Sequence, residues 1–201
     1  MTSGTRPRPE TPRGRRAACL ALLLAWIGAP AGAAGTADWT LPALMQRLAQ
    51  HPAGEVRFTE TKKLAVLDTP VTSSGRLVYS PPDRLEKHIL TPRAESLVVE
   101  RDQLSMTRDG RTRTMRLSQY PELMSIIEAI RGTLVGNQAL LAQHYTLALA
   151  GTEQDWRLTL SPLDERLQRW VRQITVVGRR NTVSRIETLQ ANGDSSVLEI
   201  E

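Results

Sequence analysis

The chain has 201 residues, of which 40% are hydrophobic and 23% charged, with 13 glycines, 12 prolines and one cysteine. These values exclude disordered, collagen-like and disulfide-rich proteins and are typical of one globular domain. The formal charge of +5 is concentrated in residues 1–33, where five arginines accompany one glutamate, and the remainder holds 21 basic and 20 acidic side chains. A nearly neutral folded part argues against nucleic acid as a partner.

Residues 1–33 have the three parts of a cleaved secretory signal peptide. A basic head precedes the apolar run of residues 17–29, which as a helix would be ~20 Å long, shorter than the ~30 Å of a bilayer core. Pro30 then breaks the helix, and residues 31–33 supply an A-x-A cleavage pattern. We therefore expect export to the periplasm and one mature domain at 34–201. Because Cys19 leaves with the signal, the mature domain has no disulfide.

The first predicted element of the mature domain is a helix that begins after Thr40 as N-cap and ends near Gln50. Its apolar residues follow the i, i+3, i+4, i+7 spacing of one helix face: Leu41, Leu44, Met45 and Leu48. The period then changes to two, which predicts a long strand whose inward positions are Val56, Phe58, Glu60, Lys62 and Leu64. Turn residues separate five further predicted strands, at 72–80, 84–90, 94–100, 103–107 and 112–117.

A second helix is predicted at residues 120–131, with Gly132 and Gly136 ending it. Its apolar face consists of Leu123, Ile126, Ile127 and Ile130. A weaker helical segment at 138–143 follows. Five more strands are then predicted, at 145–150, 156–161, 170–178, 182–190 and 195–200.

This order of elements predicts a mainly β fold. Short connections favour antiparallel neighbours over parallel βαβ units. Eleven strands at ~4.8 Å spacing would make a flat sheet about 50 Å wide, which two helices of ~10 Å diameter cannot cover. We therefore expect the sheet to curl into an open half-barrel with the helices across its mouth.

The concave side of such a sheet would be lined by apolar side chains at inward positions of the strands. They either line an open concavity or simply fill a core. The candidates are Phe58, Leu77, Tyr79, Leu85, Ile89, Leu97, Val99, Met106, Leu147, Leu149, Leu158 and Leu160.

The sequence offers little support for catalysis. His51, His88 and His144 lack the spacing of a metal site, and neither a nucleophile elbow, a phosphate loop nor a Rossmann glycine pattern occurs. The acidic pair Asp164 and Glu165 is typical of a solvated turn. We expect no enzyme activity, no metal and no cofactor.

Four arginines cluster around the predicted hairpin turn at residues 109–110: Arg108, Arg111, Arg113 and Arg116. One interpretation is a hairpin with a solvated basic face. The other is a docking patch for an acidic partner or for anionic lipid head groups.

Two short motifs resemble those of the periplasmic outer-membrane lipoprotein carriers, the LolA-type family. Residues 58–62, Phe-Thr-Glu-Thr-Lys, are similar to the first-strand pattern F-x-Q-x-K, with Glu60 at the amide position. Residues 74–85, Ser-Gly-Arg-Leu-Val-Tyr-Ser-Pro-Pro-Asp-Arg-Leu, are similar to the pattern of the second strand and its turn. Pro81 and Leu85 replace a basic residue, linked in the family to cargo release, and an aromatic one. The resemblance therefore implies a diverged member.

The resemblance implies a monomeric, non-catalytic carrier that holds acyl chains of lipoproteins or other lipids and shuttles them from the inner to the outer membrane. It also implies an inner-membrane releasing transporter and an outer-membrane acceptor. The divergence favours either another acylated lipid as cargo or a dedicated export system. The alternative is a regulatory or structural envelope protein that senses lipid tails or binds a partner without transporting cargo.

Overall fold

The first helix and the first six strands form within two residues of their predicted bounds. We describe residues 39–50 and 53–201 from a computed structural model; the predicted signal peptide and His51 lie outside these residues. Helix α1, Leu41–Leu48, begins where Thr40 Oγ1 accepts a 3.4 Å hydrogen bond from the N–H of Ala43. The six strands that follow are β1 Gly54–Lys63, β2 Val71–Ser80, β3 Arg84–Thr91, β4 Glu95–Glu100, β5 Gln103–Arg108 and β6 Arg111–Arg116.

The predicted sixth strand ends one residue early. Residues Leu117–Gln119 form a 3-10 turn instead. Leu117 donates its N–H to the carbonyl oxygen of Asp102 at 2.8 Å, and its side chain is fully buried. Burial of Leu117 therefore bends the chain away from the sheet and toward the helices.

The helical insertion consists of α2, Pro121–Leu134, and α3, Gln138–Ala142. Gly136 ends α2 as predicted, because its φ of +63° suits glycine at a helix C-terminus. The prediction that Gly132 also ends this helix is wrong. Gly132 lies inside α2, where a Cβ atom would come within 2.7 Å of Leu141 Cδ2, so this glycine serves the close approach of α3. None of the helices in residues 39–50 and 53–201 is long and apolar enough to cross a membrane.

The last five strands also lie close to their predicted positions. They are β7 Tyr145–Gly151, β8 Trp156–Pro162, β9 Val171–Arg179, β10 Thr182–Gln190 and β11 Ser195–Ile200. The expected acidic turn between β8 and β9 contains a short helix, α4, Glu165–Gln168. The Asp164 carboxylate caps this helix by accepting the N–H of Arg166 at 2.6 Å, and Leu167 is buried beneath it.

All eleven strands belong to one antiparallel sheet in the order β6-β5-β4-β3-β2-β1-β11-β10-β9-β8-β7. The first and last strands of the chain pair with each other in the middle of the sheet. Strands β6 and β7 form the two edges, and the chain passes between them through α2 and α3. The predicted fold, an open antiparallel sheet with a helical insertion, is confirmed.

Two clusters of buried side chains join the helices to the sheet. One combines α1, α3, α4 and part of α2 with strands β7–β9, and includes Leu44, Leu141, Leu158, Leu160 and Val176. The other joins α2 to strands β4 and β5 through Ile127, Val99 and Leu104, together with Leu117. Helix α2 therefore contacts both halves of the same sheet face, which we call the inner face.

Candidate functional site

The inner face is built by the pairing register. Residues paired across an antiparallel ladder project to the same side of a sheet, and alternate residues along a strand do so as well. In one half of the sheet the register aligns Leu77, Lys87, Leu97 and Met106. In the other half Leu149 pairs with Leu158, which pairs with Val176. By the same register all twelve predicted lining residues share the inner face.

The two halves of this face differ in how deeply their side chains are buried. Leu158 and Leu160 on β8 are fully covered, whereas Leu147 and Leu149 on the edge strand β7 are half-buried and pack against the same cluster. On strands β2–β5, Val99 is buried, whereas six of the predicted lining residues are only half-buried: Leu77, Tyr79, Leu85, Ile89, Leu97 and Met106. The inner face of β8 and β9 is thus a packed core, and that of β2–β5 keeps more accessible apolar surface.

The four predicted apolar residues of α2 do not pack against the same part of the sheet. Ile126 packs against the first cluster, while Ile127 is buried in the second and Leu123 packs against it. Ile130 is 38% exposed. Because α2 lies between two apolar regions, its apolar side chains diverge instead of forming a single stripe.

Polar contacts hold α2 on both sides. Arg131 Nη2 donates to the carbonyl oxygens of Asp83, at 2.6 Å, and Arg101, at 3.1 Å, in the β2–β3 and β4–β5 turns. On the other side Tyr145 Oη donates to the Ser125 carbonyl oxygen at 3.3 Å. Burial raises the pKa of the Tyr145 phenol to about 12, with the nearby Glu128 carboxylate adding to the effect.

A charged group interrupts the inner face where strands β1 and β3 contribute to it. Lys87 Nζ lies 2.8 Å from Glu60 Oε2 and 4.9 Å from the centroid of the Phe58 ring. The Glu60 side chain is 7% exposed and that of Lys87 24%. Lys62 Nζ approaches the same Glu60 oxygen at 3.4 Å.

The predicted arginine patch is not one surface. The register puts Arg108, Arg111 and Arg113 on the inner face, whereas Arg116 points to the opposite face. There Arg116 lines an open groove of about 690 Å³ together with Arg84 and Glu100. The grouping of all four is therefore wrong, because an odd and an even position of one strand project to opposite sides.

The two described histidines each contact one carboxylate. His88 Nε2 lies 2.8 Å from Glu86 Oε2 on the outer face of β3, and His144 Nε2 lies 2.6 Å from Glu128 Oε2 on α2. Within the described ranges no three His, Cys, Asp or Glu side chains gather in a way that could hold a metal ion.

Sequence reasoning missed two features of the site. The sequence partly indicates the Glu60–Lys87 pair, since both charged residues fall at inward positions of otherwise apolar strands. No local sequence pattern indicates the Arg131 contacts, because their partners are distant in the chain. These contacts put a guanidinium next to the turn of residues 81–83, which contains Pro81.

Residues 29–198 match the family described as outer membrane lipoprotein carrier protein LolA-like. No curated protein matches the chain. Among solved structures, a LolA superfamily protein from Nitrosomonas europaea is similar at 11% identity and a TM-score of 0.45, covering 81% of this chain and 91% of that chain. The Mycobacterium tuberculosis lipoprotein LppX is similar at 14% identity and 0.44, covering 82% and 94%.

The complex of MucA and MucB from Pseudomonas aeruginosa is similar at 15% identity and a TM-score of 0.41, covering 80% of this chain and 55% of that chain. The family assignment therefore rests on the sequence match, which extends over most of the chain.

Proposed function

This chain belongs to the outer membrane lipoprotein carrier protein LolA-like family, and from that premise we propose that it is a periplasmic carrier of acylated lipids or lipoproteins. The observation that carries the proposal is the accessible apolar surface on strands β2–β5, next to the α2 side chains Leu123 and Ile127. Buried methylene groups contribute about 0.8 kcal/mol each, so a single long acyl chain supplies enough free energy to bind there.

Release of cargo follows from the same packing. Helix α2 covers part of the apolar strand surface with its own side chains. Cargo must displace those contacts, which lowers its net affinity and allows transfer to an acceptor. Helix α1, the other helix predicted to lie across the mouth of the sheet, contributes differently, since its residues Leu44, Met45 and Leu48 are buried in the first cluster. We therefore assign the moving lid to α2.

The composition of the natural complex tests the carrier proposal. We would purify the mature protein from its periplasm, record native mass spectra and identify any molecule extracted from it. A stoichiometric acyl lipid or lipopeptide that exchanges rapidly with added lipid is expected. A ligand-free mass that persists after incubation with a fluorescent fatty acid would contradict the proposal and favour a structural role. A ligand retained only in a stable complex with a protein partner would favour a sensor.

Cross-linking tests the role of α2. Cys19 is the only cysteine and lies in the predicted signal peptide, so paired cysteines can be introduced selectively. We would replace Arg131 and Asp83, whose carbonyl oxygen accepts a 2.6 Å hydrogen bond from Arg131 Nη2, by cysteine and join them with a bis-maleimide whose spacer matches the length of the arginine side chain. The matched control joins positions Arg93 and Asp109, which meet at 2.7 Å between two sheet turns.

The α2 cross-link is expected to suppress uptake of a fluorescent fatty acid relative to the same variant before cross-linking, while the control cross-link leaves uptake unchanged. Equal uptake by both cross-linked variants would show that α2 does not need to move.

A further inference from the structure

The ion pair of Glu60 and Lys87 is unusual for its position on the inner face. Two ammonium groups, those of Lys87 at 2.8 Å and Lys62 at 3.4 Å, share one nearly buried carboxylate oxygen. Removing charges from water is costly unless their partners balance them. One carboxylate balances only one of the two lysines, so the local site keeps a net positive charge.

Apart from Glu60 and Lys62, the neighbours of Lys87 on the inner face are apolar. The register places Lys87 directly between Leu77 and Leu97, and its Nζ lies over the ring of the buried Phe58. Desolvation lowers the pKa of Lys87, and the Glu60 carboxylate opposes that effect. An ammonium has three donors, and the carboxylate occupies one of them. Lys87 is therefore able to donate to a second acceptor next to the accessible apolar surface.

The inner face of strands β1–β6 around Lys87 also carries more positive than negative charge. On strands β1–β6 the register brings five basic and two acidic side chains to the inner face: Lys62, Lys87, Arg108, Arg111, Arg113, Glu60 and Glu95. The residues after position 33 are almost neutral as a whole. An excess of positive charge is therefore concentrated on the half of the sheet that keeps apolar surface, where it attracts anions.

We propose that Lys87, assisted by Lys62, binds the anionic head group of an acyl ligand, a carboxylate or a phosphate, while the acyl chain lies along Leu77 and Leu97. This inference rests on the proposed carrier function and adds a ligand class to it. Glu60 holds Lys87 in place when the site is empty and limits how tightly an anion binds, because it competes for the same ammonium.

Matched ligands separate the head group from the chain. We would measure dissociation constants of palmitate, 1-palmitoyl lysophosphatidate and uncharged hexadecanol at fixed ionic strength, by displacement of a fluorescent probe. The variants are Lys87→Met, Glu60→Gln and the double variant E60Q/K87M, which replaces the ion pair by neutral residues in case K87M alone destabilises the fold. Arg116→Met removes the same charge from the opposite face and is the control.

We expect K87M and the double variant to weaken palmitate and lysophosphatidate binding at least about tenfold, the effect of losing one charge-assisted hydrogen bond, with hexadecanol changed much less. E60Q should strengthen both anionic ligands, and R116M should change none. A larger loss for lysophosphatidate than for palmitate would identify phosphate as the preferred anion.

Equal loss of all three ligands, or no loss of any, would overturn the head-group proposal and leave the carrier proposal standing. Failure of the wild-type protein to bind any of the three would overturn both.

Discussion

Arg131 Nη2 lies 2.6 Å from the carbonyl oxygen of Asp83, a contact that joins the last turns of α2 to the turn between β2 and β3. The same atom also donates to the Arg101 carbonyl oxygen at 3.1 Å. One side chain thus connects the helix to two turns of the sheet on the half that keeps accessible apolar surface. The contacts of α2 and the packing of the inner face lead to four predictions.

Replacing Arg131 by methionine should loosen the C-terminal half of α2. Two carbonyl oxygens lose a charged donor, so we expect a loss of about 1–3 kcal/mol in the free energy of unfolding. Amide hydrogen exchange around residues 131–136 should become faster. Arg172→Met is the control, since Arg172 Nη2 donates to the exposed carbonyl of Ala191 at 3.2 Å, away from α2. Equal exchange at α2 in the two variants would contradict the idea that Arg131 holds α2 against the two turns.

Gly136→Ala should destabilise the protein more than Gly110→Ala. Both glycines have positive φ, +63° and +72°, so alanine at either site costs about 1 kcal/mol in backbone strain. At Gly136 the added Cβ would also collide with the carbonyl oxygen of Met45 on α1, whereas Gly110 has open space. Urea denaturation should show the difference. Equal losses would mean that α1 and the end of α2 separate without cost.

Tyr145 should give the protein an alkaline stability limit. Its pKa rises from 10.0 unfolded to about 12 in the folded protein, so the folded state holds the phenol proton more tightly. The stabilisation is complete below pH 10 and is lost as the pH rises from 10 to about 12, amounting to about 2–3 kcal/mol.

Tyr145→Phe cannot titrate, so the stability advantage of wild type over this variant should shrink across that pH range in urea denaturation. An advantage that stays constant from pH 8 to pH 12 would contradict the assignment. The comparison cancels the titration of other tyrosines and lysines, which both proteins share.

Leucines in the two halves of the inner face should respond differently to alanine. Leu160 is fully buried, so Leu160→Ala should cost about 2–5 kcal/mol through the cavity it leaves. Leu97 is half-buried, and Leu97→Ala should cost less stability but weaken fatty-acid binding. Thermal unfolding and ligand titration together would check both. Unchanged ligand affinity for Leu97→Ala would argue against acyl chains lying on β2–β5.

Local patterns were sufficient for most of the secondary structure. The spacing of three and four residues between Leu41, Leu44 and Leu48 predicts α1, and alternation around Phe58 predicts β1. The misplaced features depend on partners distant in sequence. Glycine at position 132 predicts a helix end, but here it is needed because Leu141 of the next helix packs too closely for a side chain. That contact cannot be read from the residues around Gly132.

By itself the sequence determined the order of the elements, the antiparallel open sheet and the family, because periodicity, turn residues and short motifs are properties of neighbouring residues. Only the tertiary structure decided that Lys87 contacts Glu60, that Arg116 lies on the opposite face from the other three arginines and that β8 and β9 are packed while β2–β5 stays more accessible. These outcomes follow from strand register and from the position of α2, and both depend on contacts between residues far apart in the chain.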